Sequence, residues 1–148
     1  NELSQTIEHQ NASIEFVHLP TISGIPFQLQ QLFVNLLGNS LKYHNPEIAP
    51  HIKIACEFNP TSESFHELFN NTSRHYCKIS ITDNGLGFDQ QYAQTIFNLF
   101  SRLHHKSEYP GTGIGLSICK KIVENHDGFI KAAGTEGAGA TFDIYLPI

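Results

Sequence analysis

Two glycine-rich turns carry the first chemical signal. Gly111-Thr112-Gly113-Ile114-Gly115-Leu116 runs straight into an amphipathic segment, Ser117 to His126, and Asp83-Asn84-Gly85-Leu86-Gly87-Phe88 closes a strand-like run upstream. A residue without Cβ lets backbone amides approach a polyphosphate, and the start of a helix adds unpaired N–H groups and the positive end of a dipole. That is anion-capture chemistry, and two such turns in one small chain suggest a nucleotide pocket. The spacing is G-x-G-x-G: Leu116 stands where a dinucleotide-binding or protein-kinase loop needs its last glycine, and no G-x-x-x-x-G-K-[ST] occurs. The competing reading of either cluster is an ordinary turn.

Asn35, Asn39 and Lys42 recur at i, i+4 and i+7, which on a helix stacks them within about 40° on one side, with Tyr43 beside them. Amide oxygens are neutral hard ligands suited to a Mg²⁺ that draws most of its coordination from phosphates and water. Lys42 supplies a point charge to the same phosphates, and the Tyr43 ring could stack on a base. The alternative is a solvated polar helix face. Asp83 shares the parity of Cys77, Ile79 and Ile81, so a carboxylate ends a buried strand face, where an unpaired charge is costly. The amino group of adenine would serve as its partner, whereas guanine presents an oxygen there. An Asx-turn opening Asp83-Asn84-Gly85 is the rival account.

The elements that must position these groups follow from periodicity. Leu29, Leu32, Phe33, Leu36, Leu37 and Leu41 predict a helix from Gln28 to Tyr43, stopped by Asn45-Pro46. Ile52 to Phe58 and Tyr76 to Asp83 are predicted as an antiparallel strand pair. Asn59 to His75 is predicted as a long loop with one helical turn. Further helices are expected from Asp89 to Leu99 and from Gly115 to Asn125, the latter ended by Asp127-Gly128. Phe129 to Ala133 and Ala140 to Leu146 read as a hairpin with Phe142, Ile144 and Leu146 on one face. This is an α+β two-layer sandwich: a mixed, mostly antiparallel sheet covered on one face by helices.

Composition narrows the partners. The 148 residues make one domain, with 1–13 read as a linker from a preceding domain, and the chain lacks any Met, as a piece of a longer protein would. A net charge of −5 with scattered Lys and Arg argues against nucleic acid. The nine histidines show no H-x-x-x-H spacing, and Cys56, Cys77 and Cys119 form no C-x-x-C, so zinc is disfavoured and the thiols read as core residues. No run is long enough to span a membrane and no signal peptide opens the chain. A cytoplasmic location without membrane contact is expected, the parent protein being free to carry an anchor elsewhere.

Asn35-Leu36-Leu37-Gly38-Asn39-Ser40-Leu41-Lys42-Tyr43, Asp83-Asn84-Gly85-Leu86-Gly87-Phe88, Ile96-Phe97-Asn98-Leu99-Phe100 and Gly111-Thr112-Gly113-Ile114-Gly115-Leu116 resemble the asparagine, first glycine, phenylalanine and second glycine boxes of sensor histidine kinases, in order and spacing. Phe100-Ser101-Arg102-Leu103-His104 and Glu108-Tyr109-Pro110 look like phytochrome-type and hybrid members. The resemblance implies a Bergerat-type ATP-binding fold of the gyrase, chaperone, histidine kinase and mismatch-repair superfamily, with Mg·ATP as cofactor. By motif position, Asp83, Gly85 and Gly87 should meet the base, Tyr43 should flank it, and Asn39 with Asn35 should hold Mg²⁺. Lys42 and Arg102 should neutralise phosphate charge, while Gly111, Thr112, Gly113, Gly115 and Leu116 form a lid hinged near Phe97 and Phe100.

The implied reaction is γ-phosphate transfer to a histidine on a dimerising helical domain of the same protein, with a response-regulator receiver downstream. The parent would then be a homodimer and this fragment a monomer. ATPases of the superfamily carry glutamate where this chain has Asn35, and an amide cannot activate water, so hydrolysis should be slow. Glu8-His9-Gln10-Asn11 departs from the phosphoacceptor pattern, which leaves His9 a surface residue and the acceptor outside this segment. Other departures are Ile25 for a frequent Asp, Ala140 for a hydroxyl facing the base, and Asp127-Gly128 for Gly-Gly. A serine-directed kinase of the same superfamily and a regulatory module that binds ATP or ADP without transfer are the alternatives.

Overall fold

A computed structural model describes residues 2–17, 19–58, 75–98 and 115–148. Among them α1 (Glu2–Gln10), β1 (Ser13–Phe16), α2 (Pro26–Lys42), β2 (His51–Phe58), β3 (Tyr76–Asp83), α3 (Gly115–Asn125), β4 (Phe129–Thr135) and β5 (Gly139–Pro147) succeed one another. The five strands form one sheet in the order β1-β2-β3-β5-β4. Only β1 and β2 pair in parallel; the other neighbours are antiparallel.

The sheet faces follow from the alternation. Ile52 and Ile54 of β2, Cys77, Ile79 and Ile81 of β3, and Phe142, Ile144 and Leu146 of β5 all turn inward. They meet Leu32, Leu36 and Leu41 of α2 and Cys119, Ile122 and Val123 of α3 in one core. On the opposite face Ser80 donates to Asp143 at 2.6 Å and Thr82 pairs with Thr141 at 3.1 Å. The two-layer arrangement expected from the sequence is therefore present.

Helix α2 begins two residues before the periodicity does. Pro26 fits the first helical turn because its missing N–H has no intrahelical role there. The N-cap Ile25 has no capping side chain, but its own N–H donates to His126 Nε2 at 3.0 Å, while His126 Nδ1 donates to the Ile122 carbonyl at 2.8 Å. One imidazole thus ties the start of α2 to the end of α3. Helix α3 has the expected bounds, and Asp127 at φ 59° turns the chain so that Gly128 N–H returns to the Val123 carbonyl at 2.9 Å.

Two expectations need correcting. No continuous helix runs from Asp89 through the described residues to Asn98; the segment makes two 3₁₀ turns, Gln90–Tyr92 and Thr95–Phe97. Asp89 caps the first turn by accepting the Gln91 N–H at 3.0 Å, and the Thr95 hydroxyl donates to the Tyr92 carbonyl at 3.2 Å, a carbonyl that a continuing helix would use. Only Ile96 and Phe97 bury fully there, too little apolar face for a longer helix. The hairpin strands also run longer than expected, to Thr135 and from Gly139, with Gly137 at φ 81° and Gly139 at φ 121° in the turn.

The segment read as a linker, 1–13, holds α1, whose Leu3 and Ile7 pack against the core, and it leads into β1. Of the loop predicted from Asn59 to His75, residues 59–74 lie outside the described residues.

Candidate functional site

The Asp83 carboxylate sits at the end of β3, on the inner face, between α2 and the start of β5. Its Oδ1 accepts the Gly85 N–H at 2.9 Å and the Ala140 N–H at 3.2 Å; its Oδ2 accepts the Ser40 hydroxyl at 2.9 Å. The Asx-turn weighed from the sequence is present, and it occupies only Oδ1. Both lone pairs of Oδ1 are filled, and one on Oδ2 is left over in this set. Burial pushes the Asp83 carboxyl above its ordinary value, and the Gly85, Ser40 and Ala140 donors pull it partly back.

The turn after Asp83 is fastened to α2 and the hairpin. Leu86 N–H donates to the Tyr43 carbonyl at 2.8 Å, and Gly137 N–H to the Leu86 carbonyl at 2.8 Å. A Cβ on Gly85 would run into the Tyr43 carbonyl oxygen; one on Gly87, at φ 65°, would strike the Thr135 carbonyl. Both glycines therefore have a packing reason for lacking a side chain. Asn84 accepts the His51 N–H at 2.8 Å and donates to the Ala49 carbonyl at 3.2 Å, closing the chain between α2 and β2 over the same turn.

Helix α2 carries the second part of the site. Asn35, Asn39, Lys42 and Tyr43 are all half-buried, whereas its solvent side shows Phe27 and Val34. The Asn-Lys edge is consequently not a freely solvated face. Asn35 lies beside the Cys119 thiol at the α2–α3 seam, and the Lys42 Nζ lies 5.1 Å from the centroid of the Tyr43 ring. Ser40, the residue after Asn39 on α2, is the one that reaches the Asp83 carboxylate.

Other candidates are distributed differently. Phe97 is buried, edge-on to Phe142 at 6.2 Å, as a core residue. Gly115 opens α3 and Leu116 packs against the core. Phe100, Arg102, Gly111, Thr112 and Gly113 lie outside the described residues. Thr141 pairs with Thr82 on the outer face, as its parity required, and Ala140 offers Asp83 a backbone N–H.

Sequence reasoning passed over Ser40 and Asn84. Ser40 is 3% exposed, the one fully buried polar residue among those described. Its signal was readable: Leu32, Leu36 and Ser40 share one helix stripe, and a hydroxyl in an apolar stripe needs a partner. Among the described residues no group of three or more His, Cys, Asp or Glu could hold a metal, and no helix is long and apolar enough to cross a membrane. The neutral amides of Asn35 and Asn39 suit a cation that brings phosphate oxygens with it.

Residues 24–148 match the family model described as histidine kinase-, DNA gyrase B-, and HSP90-like ATPase. The chain is 37% identical over 146 residues to the phytochrome-like protein Cph1 of Synechocystis and 40% identical over 146 residues to cyanobacterial phytochrome A of Nostoc. These alignments cover 99% of this chain but only 18% and 17% of the relatives, so the chain spans less than a fifth of their length. It is also 37% identical to the adaptive-response sensory kinase SasA of Synechococcus elongatus over 130 residues, which are 88% of this chain and 30% of that protein. Its fold is similar to that of a mycobacterial sensor histidine kinase, MprB, at a TM-score of 0.72 and 21% identity, covering 98% of this chain and 91% of that one. The catalytic domain of histidine kinase ThkA superposes at 0.70 with 23% identity, covering 99% and 86%. With the family model matching most of its length, the chain belongs to the histidine kinase-, DNA gyrase B- and HSP90-like ATPase family, and its relatives there are phytochrome-like and sensor histidine kinases.

Proposed function

We propose that the chain is the single ATP-binding catalytic domain of a sensor kinase, binding Mg·ATP in the Asp83 cleft and delivering the γ-phosphate to a histidine on a dimerising helical domain of the same protein. A response-regulator receiver is then the next acceptor, and the parent works as a cytoplasmic homodimer. The observation that carries this reading is the Asp83 carboxylate, half-buried, held by three donors and, among the described residues, left with an acceptor position on Oδ2.

Asp83 accepts the adenine amino group and Tyr43 flanks the base. Asn35 and Asn39 are the residues to hold Mg²⁺, which when bound neutralises phosphate charge and orients the phosphates. Lys42 and Arg102 add positive charge, and Gly111 to Leu116 close over the triphosphate from the Phe97 and Phe100 side. Phosphoryl transfer asks little covalent work of protein groups, so positioning and charge carry the rate. Asn35 is an amide and cannot take a proton from water, which supports transfer over hydrolysis.

Calorimetry with Mg·ATP and Mg·GTP tests the base assignment. ATP should bind tighter by at least about tenfold, and equal affinities would remove Asp83 from it. Adding a phosphoacceptor domain and ATP should yield an acid-labile, alkali-stable phosphoprotein. An acid-stable, alkali-labile product would mean a hydroxyl acceptor, and rapid phosphate release without transfer would mean an ATPase.

A further inference from the structure

The hydrogen bonds at Asp83 single out a residue outside the motif roles already assigned. Oδ1 is saturated by two backbone N–H groups, so a base amino group can only be taken by Oδ2. Ser40 donates to that same oxygen at 2.9 Å from a side chain 3% exposed, on the helix turn that also bears Asn39. A carboxylate oxygen offers two in-plane acceptor directions, and a donor fixed in one leaves the other as the single direction in which a further donor bonds well. Ala140, opposite Asp83 across the sheet, has only a methyl side chain, so it supplies no competing hydroxyl.

We propose that Ser40 is a specificity-determining residue for the base: its hydroxyl occupies one acceptor direction of Asp83 Oδ2 and thereby aims the other at an exocyclic amino group. This rests on the reading of Asp83 as the acceptor for adenine. Ser40 acts through Asp83 and is a positioning residue. It has a second effect of the same sign, because its donation favours the ionised carboxylate, the form that can accept from an amine on Oδ2.

The test compares ATP with purine riboside triphosphate, the same nucleotide without the 6-amino group, in calorimetric titrations of the chain, Ser40→Ala and Asp83→Asn. Alanine is the better helix former, and circular dichroism and a thermal melt check that the variant folds. Ser40→Ala should weaken ATP binding about five- to tenfold and the analogue by less than about twofold. The acid limb of ATP affinity should also move to higher pH in Ser40→Ala, which loss of packing alone would not produce. Equal weakening of both nucleotides, or no weakening of ATP, overturns the proposal. If the unaltered chain binds both nucleotides equally and Asp83→Asn changes neither, the adenine reading itself has failed. If Asp83→Asn abolishes the preference for ATP while Ser40→Ala keeps it, only the role of Ser40 has.

Discussion

The Tyr43 carbonyl oxygen receives the Leu86 N–H at 2.8 Å and lies against Gly85 so closely that no side chain fits between. The end of α2 and the turn after β3 are thus locked at backbone level, and the lock sets the separation of Tyr43 from Asp83. Gly85→Ala should cost about 2–3 kcal/mol, through the clash and the strained hydrogen bond. A urea titration reads the cost as a lower midpoint, and nucleotide affinity should fall with it. An unchanged midpoint would show that the approach is not tight.

Gly38 is the opposite case. It lies inside α2, and among the described residues no atom comes within 4 Å of where its Cβ would be. Glycine in a helix interior is unfavourable relative to alanine by roughly 0.5–1 kcal/mol. Gly38→Ala should therefore raise the thermal midpoint by about 1–4 °C. A fall in midpoint would contradict the open space at this position.

What was legible in the sequence and what was not divides along physical lines. Helix α3 and strand β3 were read to the residue, because Cys119, Ile122 and Val123, and Cys77, Ile79 and Ile81, repeat with the period of their element. Strand β1 shows no alternation: only Ile14 of its four residues is even half-buried, and its pairing with β2 depends on backbone partners 38 residues away. The 3₁₀ turns at 90–97 were misread because only Ile96 and Phe97 are buried there, an apolar period too short to hold a helix, and the Thr95 hydroxyl takes up the Tyr92 carbonyl by donating to it. The inward placement of Asp83 was legible from its parity, but its partner Ser40 was hidden by standing inside a motif whose neighbours, Asn39 and Lys42, drew the chemical interest.

Asp83→Asn separates stability from binding. Burial raises the folded-state value of this carboxyl, so its stabilising contribution is present below the unfolded-state value and is lost as pH rises through the folded one. At about pH 7.5 the ionised group is a net cost to folding. Asparagine keeps an oxygen for Gly85 and Ala140, and its amide can donate to Ser40 once that hydroxyl rotates. The apo variant should melt at the same temperature or higher at about pH 7.5, with the gap closing as pH falls through the folded value. ATP binding should drop more than about tenfold, since a donor now faces the amino group. A variant less stable at neutral pH and unchanged in ATP binding would reverse both signs.

The three thiols give a direct check on the core beneath the site. Burial and the neighbouring Cys56 push the Cys77 thiol up to about 11, and burial pushes Cys119 up to about 12. Cys56 is half-buried, and burial raises its thiol while the bond from Cys77 lowers it. Alkylation needs thiolate and access. Iodoacetamide at neutral pH should modify Cys56 slowly in the native chain and leave Cys77 and Cys119 unmodified, whereas all three should react in guanidinium, with mass spectrometry locating the adducts. The Cys119 thiol donates to the Leu32 carbonyl at 3.8 Å and lies beside Asn35, so its protection reports the α2–α3 seam behind the amide edge. Native-state labelling of Cys119 ahead of Cys56 would mean that this seam opens and that Asn35 is not held where the structure places it.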